Sequence, residues 1–398
     1  MPVPDRPALV LIAGNGGSKL RDTRTGKLAW GSFWNIYPPS TPYALGLPLD
    51  GDPGGFIPNP LEVAGWLDQI TIVPGLFHAV FYKHMVDYIA KHGNYRFGDL
   101  ARPGPEDDLF FYAYDWRQDI ATSARALRPL LDGVRRARGN PDLKFVLMGH
   151  STGGTIVRYF YRMGELAPET VAGPPDPPAG APYLHRAILV GVAARGTTDV
   201  IKMLVEGYWT TYGGSRMDPY ILATLPSTYV ALPSGPGLFV DESGAPLAID
   251  IMEPEPWRRL GLGFHGRLAQ AFAHRIGATQ ADMESYLARC LARAKRIKEL
   301  LETPANDEYV IFASDSHPTP ARVLVKRDGS LHFTSARSGT LELPGDSYAT
   351  VASLRGKLDG EDGPACFRIR REHLGKTHHR WLMKDPPILQ GIIEEAQS

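Results

Sequence analysis

The sequence predicts an α/β protein with a mostly parallel central sheet, flanked by helices and carrying cap or lid insertions. Short apolar runs that are typical of buried strands recur at residues 8–13, 109–114, 144–148, 187–193, 309–313 and 366–370. Segments with helical apolar spacing lie between them, and this alternation favours a parallel sheet covered on both faces. The length of 398 residues is large for one compact core, so we expect a single domain over 1–398 with inserts.

Helical spacing predicts helices over 82–92, 121–138, 155–163 and 279–301, and a further helix at the C-terminus. Residues 322–333 predict a hairpin that turns at Asp328-Gly329. Proline and glycine between 164 and 182 predict a surface excursion without regular structure. We interpret the basic run 289–298 as the solvent-facing side of the 279–301 helix.

Two further stretches have no steady period and are rich in aromatic residues, proline and glycine. The first, about 30–80, is predicted to be an insert on the core and is a candidate for membrane contact. The second, about 195–305, has the composition of a cap or lid over an active site.

Composition and charge narrow the class of protein. Lys plus Arg and Asp plus Glu both number 43, so no net field attracts polyanions and we expect no nucleic-acid partner. Cys290 and Cys366 have no partner at short spacing, which argues against a disulfide framework or a zinc site. The N-terminus lacks a signal-peptide pattern, and no apolar run is long enough to span a bilayer. We therefore expect a cytoplasmic protein without a metal or cofactor.

The segment Gly149-His150-Ser151-Thr152-Gly153 has the G-x-S-x-G pattern between a predicted strand and a predicted helix. In this context the pattern is typical of the nucleophile elbow of α/β-hydrolases, where glycines permit a strained turn that exposes the serine hydroxyl. Ser151 is therefore the predicted nucleophile. The alternative interpretation is that Ser151 only caps the following helix.

Acyl transfer also needs N–H groups that stabilise the oxyanion of the tetrahedral intermediate. The backbone N–H of Thr152 is the first candidate, and the turn Ala13-Gly14-Asn15-Gly16-Gly17 offers that of Asn15 as the second. The same glycines allow a dinucleotide-binding interpretation, but they lack the final glycine of G-x-G-x-x-G.

An acid and a histidine should follow the serine in that order. Asp315 and Asp346 both lie where loops are predicted to begin. The candidate histidines are His317, His332, His373, His378 and His379, and the spacing alone does not choose among them.

Several segments together resemble the lecithin:cholesterol acyltransferase family, which includes lysosomal phospholipase A. They are residues 11–20 (LIAGNGGSKL), 114–117 (YDWR), 149–154 (GHSTGG), the lid-like 225–233 and the acid loop 345–350 (GDSYAT). The segment 379–386 (HRWLMKDP) is similar to the one that follows the family's catalytic histidine. The similarity runs nearly end to end.

The resemblance implies a triad of Ser151, Asp346 and His379, with His378 one residue out of register, and an oxyanion hole made by the backbones of Asn15 and Thr152. It implies lipid esters as substrates and a structural role for Asp115 and Arg117, as a buried charge-assisted bond behind the elbow. The sequence departs from the family pattern at Ala13, in the acid loop and in the absence of paired cysteines in the early insert.

We expect Trp34, Trp209 and Tyr229, from the two aromatic-rich stretches, to contact the substrate, while most other aromatic residues there pack under long loops. The predicted function is that of a serine lipase, esterase or phospholipase-like acyl hydrolase, or of a lipid acyltransferase. A catalytically inactive binding module with the same fold stays open as an alternative.

Overall fold

A computed structural model of the chain describes residues 6–36, 42–73, 77–80, 82–210, 214–333, 341–360 and 363–398. Parts of the predicted insert (37–41 and 74–76) and of the predicted cap (211–213) lie outside the described residues. The boundaries of the insert and the cap stay predictions.

The strands within the described residues are β1 Ala8–Ile12, β2 Ser18–Asp22, β3 Leu28–Trp30, β4 Leu61–Trp66, β5 Gln69–Val73, β6 Phe77–Val80, β7 Phe97–Gly98, β8 Leu109–Tyr112, β9 Phe145–His150, β10 Leu184–Val190, β11 Tyr208–Trp209, β12 Arg216–Met217, β13 Phe239–Val240, β14 Glu308–Ser314, β15 His317–Pro320, β16 Val323–Val325, β17 Leu331–His332, β18 Glu342–Gly345 and β19 Arg368–Gly375.

The α-helices within the same residues are α1 Phe33–Ile36, α2 Lys83–His92, α3 Ile120–Arg125, α4 Leu127–Ala137, α5 Thr152–Met163, α6 Thr198–Glu206, α7 Pro219–Ala223, α8 Pro226–Val230, α9 Pro254–Leu260, α10 Arg267–Ile276, α11 Gln280–Glu302, α12 Val351–Leu354 and α13 Pro386–Gln397. A 3₁₀ helix over His379–Lys384 leads into α13.

The central sheet has seven strands in the order β19-β14-β10-β9-β1-β8-β7. Every neighbouring pair in it is parallel. All six predicted strands are present in this sheet, so the predicted parallel sheet is confirmed. Because the strands are parallel, their carboxyl ends share one edge, and the loops that leave β1, β9 and β14 begin there.

The two faces of the sheet are covered by different helices. Side chains of β1 alternate between two apolar clusters: Leu9 and Leu11 pack with α2 and α13, whereas Val10 and Ile12 pack with α5. This alternation follows from the two-residue period of a strand, and it explains why the run 8–13 is apolar throughout.

Two sequence predictions about helices and loops were wrong in detail. The predicted helix 121–138 is divided into α3 and α4 at Ala126. Pro129 lacks an N–H and its ring opposes the carbonyl of Arg125, the last residue of α3, which accounts for the break. The stretch 164–182, predicted to lack regular structure, contains short 3₁₀ helices at Pro168–Thr170 and Ala181–Tyr183.

The basic run of α11 is only partly solvent-facing. The large apolar residues of α11 are buried, but so are Arg293 and Lys298. Arg293 pairs with Asp119 at 3.0 Å, and Lys298 pairs with Glu302 at 2.7 Å. Both cations are buried because each has an anionic partner, which a one-dimensional charge pattern does not show.

Candidate active site

The turn between β9 and α5 holds Ser151 in a strained conformation, with φ 53° and ψ −128°. A Cβ on Gly149 would lie 2.4 Å from the Cα of Gly154, and a Cβ on Gly153 would lie 2.3 Å from the carbonyl oxygen of Ile12. Only glycine fits at these two positions, so the spacing of the motif is a steric requirement of the turn. The described contacts include no capping hydrogen bond from the Ser151 side chain, which contradicts the helix-cap interpretation.

The structure brings Ser151, His379 and Asp346 together in one chain of hydrogen bonds. His379 Nε2 lies 3.2 Å from Ser151 Oγ, and His379 Nδ1 lies 2.7 Å from Asp346 Oδ2. Since Nδ1–H donates to the carboxylate, Nε2 is left as the acceptor for the serine hydroxyl. His379 is 8% exposed and Asp346 is fully buried, so the hydrogen bonds between these side chains are largely shielded from water.

Asp346 is held as a carboxylate. Burial opposes its ionisation, but the charge and hydrogen bond of His379 and the N–H groups of Ala349 and Tyr348 outweigh burial and lower the pKa of Asp346 below its usual value. The Ala349 N–H lies 2.7 Å and the Tyr348 N–H 3.0 Å from Asp346 Oδ1. The carboxylate therefore has a fixed orientation toward His379.

The neighbouring histidine, His378, points elsewhere. Its Nε2 lies 2.7 Å from Ser347 Oγ, and its Nδ1 accepts from the N–H of Arg380 at 3.3 Å. The two adjacent histidines thus have separate partners, and only His379 contacts Ser151 and Asp346.

The other candidates have partners or positions away from Ser151. His317 Nε2 lies 3.0 Å from the carbonyl oxygen of Lys376, and His373 Nε2 lies 3.1 Å from Glu395 Oε1. Asp315 and His332 are exposed.

The two predicted oxyanion donors flank the elbow. Thr152 is the first residue of α5, so its N–H is one of those that have no acceptor within the helix. Asn15 lies in a turn closed by a 3.0 Å bond from the Gly17 N–H to the Gly14 carbonyl. Gly16 has φ 75° at the third position of this turn, where glycine is preferred. A Cβ on Gly14 would lie 3.0 Å from Ser151 Cβ, so the turn packs directly against Ser151.

A pocket opens beside Ser151. Within the described residues it is lined mostly by small and apolar side chains of the elbow and α5, α3, the loop after β10, α8 with its C-terminal end, and the acid loop: Ile120, Thr152, Thr155, Ala193, Ser227, Val230, Ala231 and Tyr348. The α8 residues come from the predicted cap, so that stretch contributes directly to the pocket.

The three predicted substrate contacts do not line this pocket as it is described. Tyr229 is fully buried, its ring stacks on Trp257 with centroids 5.3 Å apart, and its hydroxyl donates to the Ala223 carbonyl at 2.5 Å. Tyr229 thus has a packing role that the sequence did not indicate. Trp34 and Trp209 are 78% and 48% exposed at the surface.

The predicted charge-assisted bond between Asp115 and Arg117 is present. Arg117 is fully buried and binds both carboxylate oxygens of Asp115, at 2.8 and 2.7 Å. It also donates to Asn59 Oδ1 at 2.6 Å and to the Leu45 carbonyl at 3.3 Å. The pair therefore fastens the loop 42–60 to the core, rather than only a loop behind the elbow.

Three side chains near Ser151, His379 and Asp346 were not identified from the sequence. The Tyr348 ring lies 4.5 Å, centroid to centroid, from that of His379, and the His150 ring lies 5.3 Å from it. Tyr82 Oη lies 2.8 Å from His150 Nδ1. Tyr348 and His150 occur within quoted motifs, but nothing in the pattern around Tyr82 distinguishes it from a helix-start residue.

The described helices include none that is both long and apolar enough to cross a membrane. In the same part of the chain, the acidic, histidine and cysteine side chains do not gather into a group of three that would suit a metal ion. Both cysteines are buried free thiols.

Comparison with known proteins supports the fold and the family resemblance. The family described as lecithin:cholesterol acyltransferase matches residues 53–234. The crystal structure of the Tle4–Tli4 complex is similar, with 12% identity, a TM-score of 0.57 and coverage of 98% of each chain. No curated protein sequence matches significantly.

Two lipase structures align over most of their length with lower TM-scores. The lipase BlEst2 of Bacillus licheniformis has 11% identity, a TM-score of 0.38 and coverage of 100% of this chain and 95% of the other. Lipase 1 of Pelosinus fermentans has 12% identity, a TM-score of 0.39 and coverage of 99% of each chain. The seven-stranded parallel sheet and the elbow at its carboxyl edge are those of the α/β-hydrolase fold, and over residues 53–234 the chain matches the lecithin:cholesterol acyltransferase family, as its motifs predicted.

Proposed function

We propose that the protein is a serine ester hydrolase or acyltransferase that acts on lipid or other apolar esters through Ser151, His379 and Asp346. The observation that carries the proposal is the continuous hydrogen-bonded chain from Ser151 Oγ through His379 to Asp346, at 3.2 and 2.7 Å. The family match over residues 53–234 supports acyl chemistry on lipids.

In the first half-reaction, Ser151 Oγ attacks the ester carbonyl carbon while His379 Nε2 takes the hydroxyl proton. The carbonyl oxygen becomes an oxyanion that the N–H groups of Asn15 and Thr152 stabilise. The imidazolium, stabilised by Asp346, then gives its proton to the departing alkoxide. An acyl group remains on Ser151, and the alcohol leaves.

In the second half-reaction, His379 removes a proton from water, or from an acceptor alcohol, which attacks the acyl carbon. The tetrahedral intermediate collapses, the proton returns to Ser151 Oγ, and a carboxylic acid or a new ester is released. The pocket beside Ser151, with Ile120, Ala193 and Val230 in its wall, suits the apolar chain of the acyl group.

The test is labelling with a fluorophosphonate, together with turnover of p-nitrophenyl esters of graded chain length. The unmodified protein should be labelled at Ser151 and should hydrolyse these esters. Ser151→Ala should abolish both, whereas the matched Ser330→Ala, in the exposed turn after β16, should change neither. Labelling and turnover that persist in Ser151→Ala would refute the proposal, and an unlabelled wild-type protein would favour a binding module.

We also propose that exposed indoles carry the protein onto lipid surfaces. Trp34 and Trp209 lie on segments that bond to each other, because Thr210 Oγ1 and the Ser215 N–H both donate to the Ile36 carbonyl, at 2.6 and 3.0 Å. Exposed tryptophans suit the boundary between water and lipid.

Vesicle co-sedimentation tests this second proposal. Trp34→Ala and Trp209→Ala should weaken binding to phosphatidylcholine vesicles while turnover of a soluble ester stays unchanged. Leu166→Ala is the control, since this exposed residue follows α5, which runs from the elbow toward the opposite edge of the sheet. Unchanged vesicle binding in both tryptophan variants would refute lipid contact by these indoles.

A further inference from the structure

The peptide group between Ala13 and Gly14 is held at both ends by tyrosine hydroxyls. The Ala13 carbonyl accepts from Tyr114 Oη at 2.9 Å, and the Gly14 N–H donates to Tyr82 Oη at 3.0 Å. Tyr114 follows β8 and Tyr82 immediately precedes α2, so the two hydroxyls reach the same peptide group from different parts of the fold. The orientation of this peptide plane is therefore fixed by distant segments.

This peptide group immediately precedes Asn15, whose N–H is a proposed oxyanion donor. Asn15 is exposed and follows a glycine, so its immediate sequence adds little restraint to the turn bond from the Gly17 N–H to the Gly14 carbonyl. Rotation of the Ala13–Gly14 peptide plane would redirect the Asn15 N–H relative to Ser151, which packs against Gly14. Oxyanion stabilisation requires donors at 2.7–3.1 Å from the developing charge, so a small rotation would weaken it.

The Tyr82 hydroxyl is itself oriented by His150. Because Oη accepts from Gly14, its own hydrogen is available for His150 Nδ1, which lies 2.8 Å away. Burial raises the pKa of Tyr82 to about 12 and lowers the pKa of His150 to about 3. At neutral pH both groups are therefore uncharged, and with the imidazole hydrogen on Nε2 the bonds run from Gly14 N–H to Tyr82 Oη and from Tyr82 O–H to His150 Nδ1.

We infer that Tyr82 and Tyr114 are positioning residues that hold the turn Gly14–Gly17, which carries the proposed oxyanion donor. We call this pair of hydroxyl contacts the clamp, and His150 orients the Tyr82 hydroxyl within it. The inference rests on the proposed function, because it concerns the oxyanion donor of the same reaction. It also gives a role to Tyr114, the first residue of the Tyr114–Arg117 motif. The third residue of that motif, Trp116, donates to the Ser18 carbonyl at 3.2 Å, just beyond the turn.

The first test is the kinetics of Tyr82→Phe and Tyr114→Phe with p-nitrophenyl butyrate. Both variants keep the aromatic ring and lose only the hydroxyl. We expect kcat to fall about tenfold in each with little change in KM, since the donor is loosened and loss of a complete oxyanion donor costs about 100- to 1000-fold. Tyr159→Phe is the matched control: it removes a hydroxyl that donates to the Leu166 carbonyl at 2.7 Å, and kcat should stay unchanged.

The second test measures inhibitor affinity, which a loss of overall stability does not change selectively. A trifluoromethyl ketone adds to the serine and places an oxyanion at the donors, whereas the corresponding methyl ketone binds mainly through its chain. In Tyr82→Phe and Tyr114→Phe the trifluoromethyl ketone should bind about tenfold more weakly, in proportion to kcat/KM. The affinity for the methyl ketone should not change.

Variants of His150 test the third member of the series. Asn at position 150 offers an amide oxygen near the place of Nδ1, so His150→Asn should keep most of the wild-type kcat. His150→Leu has no acceptor and should fall to the level of Tyr82→Phe. The kcat of the double variant Tyr82→Phe/His150→Leu should be no lower than that of the less active single variant, because both substitutions break the same series of hydrogen bonds.

The outcomes separate this inference from the proposed function. If Ser151→Ala is inactive but both tyrosine variants keep wild-type kcat and trifluoromethyl ketone affinity, the clamp is refuted and the proposed function stands. If Ser151→Ala keeps its activity, the proposed function fails and the clamp fails with it. Equal weakening of both ketones would also refute the clamp, because it would show a general disturbance of the pocket.

Discussion

The elbow and the loops that carry the acid and the histidine are built in different ways. At the elbow, the residues that must be small lie close together in sequence: Gly149 approaches Gly154, Gly153 faces the carbonyl oxygen of Ile12 in β1, and Ser151 takes a positive φ. The acid loop and the histidine loop are joined by long-range bonds. The His379 N–H donates to the Asp346 carbonyl at 2.8 Å, in addition to the side-chain bond between the same residues.

This difference shows why the elbow can be predicted from a single sequence, whereas the positions of Asp346 and His379 cannot. A strained turn requires glycine at fixed spacing, so its motif is local. A bond between residues 33 positions apart places no such demand on neighbouring residues.

Replacement of the two adjacent histidines should give very different results. His379→Ala should lower kcat by on the order of 10⁶, because it removes the proposed base and leaves only binding and oxyanion stabilisation. His378→Ala is the matched variant and should retain kcat within about tenfold, since its partner is Ser347. Steady-state hydrolysis of p-nitrophenyl butyrate measures both, and a reversed order would assign the base to His378.

A matched pair of aspartate variants tests the assignment of the acid. Asp346→Asn should lower kcat by about 10⁴, because an amide that donates to His379 Nδ1 favours the wrong tautomer. Asp315→Asn changes an exposed carboxylate after β14 and should leave kcat unchanged. Equal losses in the two variants would contradict the assignment of the acid. The far-ultraviolet spectrum of each variant should remain that of the wild type.

At the elbow, a single methyl group should destabilise the fold. Gly153→Ala places a Cβ 2.3 Å from the Ile12 carbonyl oxygen, and we expect it to reduce the free energy of unfolding by about 3 kcal/mol. Gly133→Ala is the control, because a Cβ at this helical position meets only the end of Arg136, at 3.8 Å. The control should gain about 0.5–1 kcal/mol. Urea unfolding measures both, and a neutral Gly153→Ala would refute the steric account of the motif.

The smallest effect concerns pH. His150 faces Tyr82, His379 and, farther away, Asp346, and burial lowers its pKa to about 3. In the unfolded chain its pKa is about 6.5. Between these values the unfolded state binds a proton that the folded state does not, so stability falls as pH drops below about 6.5.

Between pH 7 and pH 5 this loss should reach about 1–2 kcal/mol in the wild type. His150→Asn lacks this titrating group, so its free energy of unfolding should fall by about 1–2 kcal/mol less than that of the wild type between the same pH values. Urea unfolding at the two pH values measures the difference. An identical pH dependence of the two proteins would show that His150 is not held neutral by the fold.

The sequence predicted the central sheet, the elbow and the Ala13–Gly17 turn beside it because each depends on a local pattern. It left Asp315 and Asp346, and five histidines, open until the family resemblance chose among them. It misjudged Tyr229, because an aromatic residue in a cap has the same pattern whether it faces a substrate or stacks on Trp257. Tyr82 was missed for a related reason, since its partners Gly14 and His150 lie 68 residues away.

We expect Ser151 to form an acyl-enzyme with the help of His379. The most direct measurement is mass spectrometry of protein quenched in acid during turnover of p-nitrophenyl butyrate, followed by mapping of the modified peptide. One butyryl group should be found on the peptide that contains Ser151, and none in His379→Ala. Continued turnover without an acyl adduct, or an adduct on another residue such as Ser347, would contradict it.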